Sequence, residues 1–196
     1  MAKKSSGTKK KIVTAAWRLF YEQGYEDTTV DEIIRMSGTS RGSFYHYFEG
    51  KDALLGSLAD LFDEEYARLQ DKLPADGNRF LQLMQLNSSL FSMIENSIDL
   101  TLITLMYATQ LTTKGEKSLL DHRRLYYKMI RRLISEGQER GELRDDVPVN
   151  EIVRVYAMCE RALIYDWCLC KGEYSLTEQG EKLMPFFLAG FRTGKK

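Results

Sequence analysis

Proline, cysteine and histidine are all scarce in this 196-residue chain, which has three, three and two of them. With only Pro74, Pro148 and Pro185 to interrupt it, the chain keeps long stretches open to helix. His46 and His122 lie in no nucleophile or metal motif. HExxH, a phosphate-cradling glycine loop and a paired-carboxylate signature are also missing, so an enzyme lacks its usual groups, and neither metal nor cofactor is called for. Cys159, Cys168 and Cys170 are an odd number in an apolar helical context, which argues for reduced thiols over a disulfide framework. Cys168-x-Cys170 is not a zinc spacing, and neighbours two apart on a helix diverge by about 200°, too far to close a local bond. No apolar run reaches the length of a membrane span, and the N-terminus lacks the apolar core of a signal peptide. The expectation is a cytoplasmic chain with no membrane partner. No segment of convincing length alternates like a strand, so the expected fold class is all-α.

What is present is unevenly charged. The net charge is zero, yet residues 1–51 carry nine Lys or Arg against six acids, a net of +3, and the remainder carries −3. A basic head on an acidic body turns the head toward a polyanion. Lys3-Lys4 and Lys9-Lys10-Lys11 either add phosphate or minor-groove contacts or form a disordered solubilising end.

Residues 28–48 read as a capped helix, a glycine turn and an aromatic-rich second helix. Thr29 with Glu32 forms a capping box that starts a helix at Val30 running through Met36. Ser37-Gly38-Thr39 supplies the turn, with Gly38 free to take a positive φ, and Ser40 caps the second helix. At about 100° per residue Phe44 and Phe48 share one face and can be buried, whereas Gly42 and His46 point the other way. Ser43, Tyr45 and Tyr47 flank the exposed side, and Arg41 sits at the helix start. This is a helix-turn-helix with a polar side free to enter a DNA major groove.

The matching residues are Ile12 to Gly24 with a Phe20-x-x-x-Gly24-Tyr25 stop, Thr28-Thr29-Val30-x-x-Ile33, Ser37 to Phe48, and Lys51-Asp52-x-Leu54-Leu55. Over these first 55 residues the chain resembles the TetR family of bacterial transcriptional regulators. The resemblance implies a homodimer on a near-palindromic double-stranded operator, and a C-terminal domain that binds a small-molecule effector and changes the spacing of the heads. The expected architecture is a three-helix DNA-binding head, residues 1–50, on a larger helical effector-binding and dimerisation domain, residues 51–196. Arg41, Ser43, Tyr45 and His46 are expected to reach base edges or adjacent phosphates. Thr29, Ser40, Tyr47 and Lys51 are expected to hold the backbone, with Thr39 and Gly42 completing the surface. The function so implied is a ligand-responsive regulator, a repressor by the family's habit. A helical ligand-binding or interaction module without operator binding is the alternative.

Beyond the head the pattern predicts helices over 51–73, 79–94, 97–111, 118–140, 149–170 and 175–190. The first, directly continuous with the head, is the natural lever; a loop is expected around 113–115, and Ser175 with Glu178 forms a second capping box. Pro148 suits a first helical turn, and Pro185 sits inside the last helix. Ile152, Val155, Tyr156, Cys159, Leu163 and Trp167 form one apolar stripe. Val153, Met158, Ala162, Ile164, Tyr165 and Leu169 make the same helix apolar on most other sides, as Phe186, Phe187, Leu188 and Phe191 do for the last. Helices apolar all round need burial everywhere, and pairing the last two from each subunit into a four-helix bundle provides it. Candidate effector-lining residues, chosen as adaptable Met, flat aromatics and a few polar groups, are Met84, Asn87, Phe91, Leu102, Met106, Tyr107, Tyr126, Tyr127, Met129, Glu160 and Trp167. Glu160 and Asp166 stand out as acids within an apolar helix. If buried they meet a cation or a hydroxyl; otherwise they pair with Arg154, Arg161 or an arginine of a neighbouring helix.

Overall fold

A computed structural model describes residues 2–70, 72–112 and 117–193, without the side chains of residues 2–6. The chain is all-α among the described residues. In order the helices are α1 (Ala2–Gln23), α2 (Val30–Ser37), α3 (Arg41–Tyr47), α4 (Lys51–Leu55) and α5 (Leu58–Gln70), then α6 (Arg79–Ser97), α7 (Leu100–Thr112), α8 (Leu125–Glu139), α9 (Val149–Leu169) and α10 (Leu176–Leu188). Single 3-10 turns cover Ser118–Leu120 and Ala189–Phe191, and one isolated antiparallel bridge joins Leu143 to Arg192. The loop expected around 113–115 falls outside the described residues, as do the side chains of Lys3 and Lys4. Their backbone belongs to α1.

Two compact units form. One runs to Asp60, past the expected boundary at residue 50, and takes in Leu105–Leu119; the other comprises Leu61–Thr104 and resumes at Leu120. In the first unit, Ile12, Ala16, Leu19 and Phe20 line the buried side of α1. Phe20 packs on Tyr25 with ring centroids 5.0 Å apart, just past the positive-φ Gly24 that ends the helix. Ile33, Phe44, Phe48, Leu54 and Leu55 complete this small core.

The single helix expected over 51–73 is two helices. The chain breaks at Gly56-Ser57, where the buried Ser57 hydroxyl donates to the Leu54 carbonyl at 2.5 Å and accepts from the Trp17 indole N–H at 2.8 Å. Backbone bonds there run three residues back, from Ser57 to Leu54 and from Asp60 to Ser57. A side chain anchored by a distant indole and a glycine beside it outweigh the propensity to continue. The expected lever is therefore not one rigid rod.

The helix expected from Ser118 begins instead at Leu125. Asp121 captures the backbone N–H of Arg123 at 2.9 Å and its guanidinium at 2.8 Å, which turns the chain before the helix can start. Asp63 then accepts the Tyr126 N–H at 3.3 Å and pairs with Arg124 at 2.8 Å, serving the first turn of α8.

The second unit packs α6 against α8 and α10, and α9 against α8 and α10. Leu83, Leu86, Phe91 and Ile94 of α6, Ile130, Leu133 and Ile134 of α8 and Tyr156, Leu163 and Trp167 of α9 are all buried in its core. Gly180 of α10 allows the closest approach: a Cβ there would lie 2.4 Å from Phe91 Cδ2. Ser175 caps α10 as expected, but the carboxylate serving that terminus is Glu95 of α6 rather than Glu178. It accepts from the Thr177 hydroxyl at 2.6 Å and from the Thr177 N–H and the Ser175 hydroxyl at 3.1 Å each. Burial raises the Glu95 carboxyl, yet these hydrogen bonds outweigh it and hold the group below its usual range.

Candidate DNA-reading surface and effector site

The turn between α2 and α3 is fixed by short-range chemistry. Thr29 Oγ1 accepts the Glu32 N–H at 3.3 Å while Glu32 Oε2 accepts the Thr29 N–H at 2.8 Å, so the capping box is complete. Those bonds from Thr29 hold the Glu32 carboxyl below its usual range. Gly38 takes φ +62° and its N–H returns to Arg35, where a Cβ would be strained. Ser40 Oγ accepts the Ser43 N–H at 3.1 Å and starts α3.

From that start, Phe44 and Phe48 turn inward, 0 % and 6 % exposed, with ring centroids 5.8 Å apart. Arg41, Gly42, Tyr45 and His46 are exposed, and Ser43 and Tyr47 are half-buried. At about 100° per residue His46 stands opposite the two phenylalanines, Ser43 and Tyr45 lie to either side, and Arg41 stands at the exposed start of the helix. Thr29 and Ser40 are engaged as caps, and Thr39 bonds the Ser37 hydroxyl at 2.8 Å.

Two placements were not readable from the sequence. Arg41 Nη2 pairs with Asp31 Oδ1 of α2 at 3.0 Å, both side chains being largely in solvent, which makes the pair weak and exchangeable. Lys51 Nζ donates to the carbonyls of Tyr25 at 2.7 Å and Glu26 at 3.2 Å and lies 4.3 Å from the Tyr25 ring centroid. Two of its three protons therefore brace the α1–α2 connection. Nearby the Tyr25 hydroxyl donates to Asp52, and burial first, then this bond, raises its ionisation well above normal.

In the second unit the sequence candidates Glu160, Asn87 and Tyr126 do meet. Asn87 Nδ2 donates to Glu160 Oε1 at 3.0 Å, the Tyr66 hydroxyl reaches the same oxygen at 3.3 Å, and the Tyr126 hydroxyl also bonds this carboxylate. Tyr66, 94 positions away, was missed; an isolated tyrosine in a charged helix gives no signal. Glu160 is 3 % exposed, Tyr66 and Asn87 1 %. Burial dominates its protonation and raises the carboxyl, against those hydrogen bonds and the field of Arg161. Phe91, Tyr127, Met129, Leu102 and Trp167 are buried in the same unit, but Trp167 is tied to the Tyr174 carbonyl at 2.9 Å. Met84 and Asn87 line a cleft of about 310 Å³ with Gly180 and Met184. Met106 and Tyr107 belong to the first unit. Asp166 is exposed and accepts the Tyr174 hydroxyl at 2.8 Å.

The model for "Bacterial regulatory proteins, tetR family" matches residues 12–58, and that for "Tetracyclin repressor-like, C-terminal domain" matches residues 82–191. The chain belongs to the TetR family. As a TetR-family protein it is a bacterial transcriptional regulator. It is 29% identical over 157 residues to the HTH-type transcriptional repressor AcnR of Corynebacterium efficiens, a match covering 78% of this chain and 77% of the relative. The fatty acid metabolism regulator protein of Bacillus subtilis is 19% identical over 180 residues, covering 91% and 93%. Among solved structures, Thermus thermophilus FadR, a TetR-family repressor in complex with lauroyl-CoA, superposes with a TM-score of 0.75 at 23% identity. That match covers 95% of this chain and 96% of the other and shows a shared fold.

This TetR-family chain exposes an apolar face on its last two helices. Met158, Ala162, Tyr165 and Leu169 follow one another along α9, with Phe186 and Phe187 on α10; Phe186 is 75 % exposed. The three cysteines are half-buried, and burial pushes the Cys159 and Cys168 thiols up, away from reactive thiolate. Among the described residues no helix is long and apolar enough to cross a membrane, and no group of three or more His, Cys, Asp or Glu is placed to hold a metal ion.

Proposed function

We propose that this regulator is a repressor that acts in the cytoplasm as a homodimer on a near-palindromic operator and is released by a small molecule bound in its second unit, working through binding rather than catalysis. Arg41, Ser43, Tyr45 and His46 meet base edges or adjacent phosphates. Thr29, Thr39, Ser40, Gly42, Tyr47 and the remaining proton of Lys51 lie along the backbone. The observation that carries the reading is the burial of Phe44 and Phe48, which leaves the polar side of α3 outward on a helix fixed by the Ser40 cap.

Dimerisation uses the exposed faces of α9 and α10. Met158, Tyr165, Leu169, Phe186 and Phe187 are large apolar side chains left in water that a second subunit would cover, and a two-fold axis there matches a palindrome. The effector occupies the second unit near Glu160 and Asn87, and its binding alters the separation of the two heads so that they no longer match successive grooves. Selection of bound fragments from sheared genomic DNA of the source organism tests this. Salt-sensitive enrichment of one palindrome is expected, and retention without sequence preference contradicts the reading.

A further inference from the structure

Two acids, Asp31 and Glu32, occupy the first turn of α2, and the capping box uses one of them. The Glu32 carboxylate is spent there: its Oε2 accepts the Thr29 N–H and hydroxyl at 2.8 Å each and the Gln23 amide at 3.3 Å. Asp31 takes no part in that box. A carboxylate in a first turn gains from the helix dipole. Yet Asp31 stands two residues past Thr29, on the surface proposed to follow the DNA backbone, where a phosphate repels it.

Its charge is answered from α3. That helix carries a single Lys or Arg, and this residue, Arg41, brings its Nη2 to 3.0 Å from Asp31 Oδ1. The two side chains are 67 % and 72 % exposed, so water competes for both and DNA can displace the pair. A guanine edge offers the same guanidinium two acceptors, O6 and N7, in the fork geometry that it fits. Exchange of the carboxylate for the base is therefore favourable, but the pair has to be given up first.

We propose that Asp31 sets the strength of operator binding as an internal competitor, holding Arg41 in the free head until a base takes its place. This rests on the assignment of Arg41 to a base edge and adds a residue that itself touches no base. A homodimer breaks the pair twice in one operator complex. The consequence is a ceiling on affinity, which keeps the complex within reach of a ligand that has to undo it.

A double-mutant cycle on the selected operator at moderate salt tests it, with Asp31→Asn, Arg41→Ala and both together in the full chain. Asp31→Asn keeps the size of an exposed side chain and leaves the capping box intact, so the fold is expected to hold, as circular dichroism checks. Its operator affinity is expected to rise about 1.4- to 5-fold per head, and so about 2- to 25-fold for the dimer. With alanine at position 41 the same substitution is expected to lose most of that gain. A gain there at least half as large, on a logarithmic scale, means that Asp31 acts by repelling phosphate and overturns the competitor role. Unchanged affinity in Asp31→Asn also overturns it, and so does weaker binding, which would show the carboxylate supporting Arg41 on the base. If Arg41→Ala alone leaves operator binding undiminished, the parent reading falls and this one with it. If Arg41→Ala weakens binding and the cycle shows no coupling, this inference alone falls.

Discussion

Replacing Gly180 by alanine probes the tightest helix contact in the second unit. A Cβ at this position would stand 2.4 and 2.6 Å from Cδ2 and Cε2 of Phe91 and 3.1 Å from Asn87 Oδ1. Phe91 is fully buried, so its ring cannot withdraw without displacing the core around it. Overpacking of this sort costs about 1–3 kcal/mol. Alanine recovers about 0.8–1 kcal/mol of helix propensity over glycine, leaving a net loss of about 1–2 kcal/mol because the clash falls on a ring rather than a flexible chain end. For a chain of this size that is a fall in Tm of about 2–8 °C. Urea and thermal unfolding followed by circular dichroism measure it, with Gly190→Ala as the control. Nothing lies within 4 Å of a Cβ at Gly190, and that variant should stay within about 0.5 kcal/mol of the parent. A Gly180→Ala protein as stable as the parent, or more so, refutes the claimed approach of α10 to α6.

Lys51→Ala removes the ammonium bonds to the Tyr25 and Glu26 carbonyls and is expected to cost about 1 kcal/mol of stability besides weakening DNA binding; an unaltered urea midpoint contradicts the bracing role. Phe186→Glu puts a charge in the exposed face of α10 and should give a folded monomer by sedimentation, whereas a persistent dimer places the interface elsewhere. Glu95 is held below its usual range, so its stabilisation is present above the unfolded value of about 4.3 and is lost as pH falls through the lower folded value. Glu95→Gln should therefore melt below the parent at neutral pH and converge with it as the pH falls through that lower folded value; a gap constant across that range refutes the assignment.

The reading head was legible because its determinants act over two to four residues: Thr29 with Glu32, Gly38 as the turn, and Ser40 with Ser43. The four-residue spacing of Phe44 and Phe48 likewise gave the inward face without knowledge of what lies beneath it. What escaped depends on partners far away in the chain. The break after Leu55 turns on an indole 40 residues upstream, and the late start of α8 on Asp121 capturing Arg123. The Arg41–Asp31 pair bridges two helices whose relative position no periodicity supplies. Glu160 was visible as an acid on an apolar helix, but whether it is buried, and whether by cations or by Tyr66, Asn87 and Tyr126, is settled only by tertiary packing.

The central claim is that α3 presents Arg41 outward to read DNA, held by phenylalanines beneath. Its most direct test is the affinity of Arg41→Ala for the selected operator and for a scrambled duplex, measured side by side at moderate salt. A loss of about 1–3 kcal/mol on the operator, with a smaller loss on the scrambled duplex, is the result predicted if the guanidinium leaves Asp31 for a guanine edge. Undiminished operator affinity contradicts it.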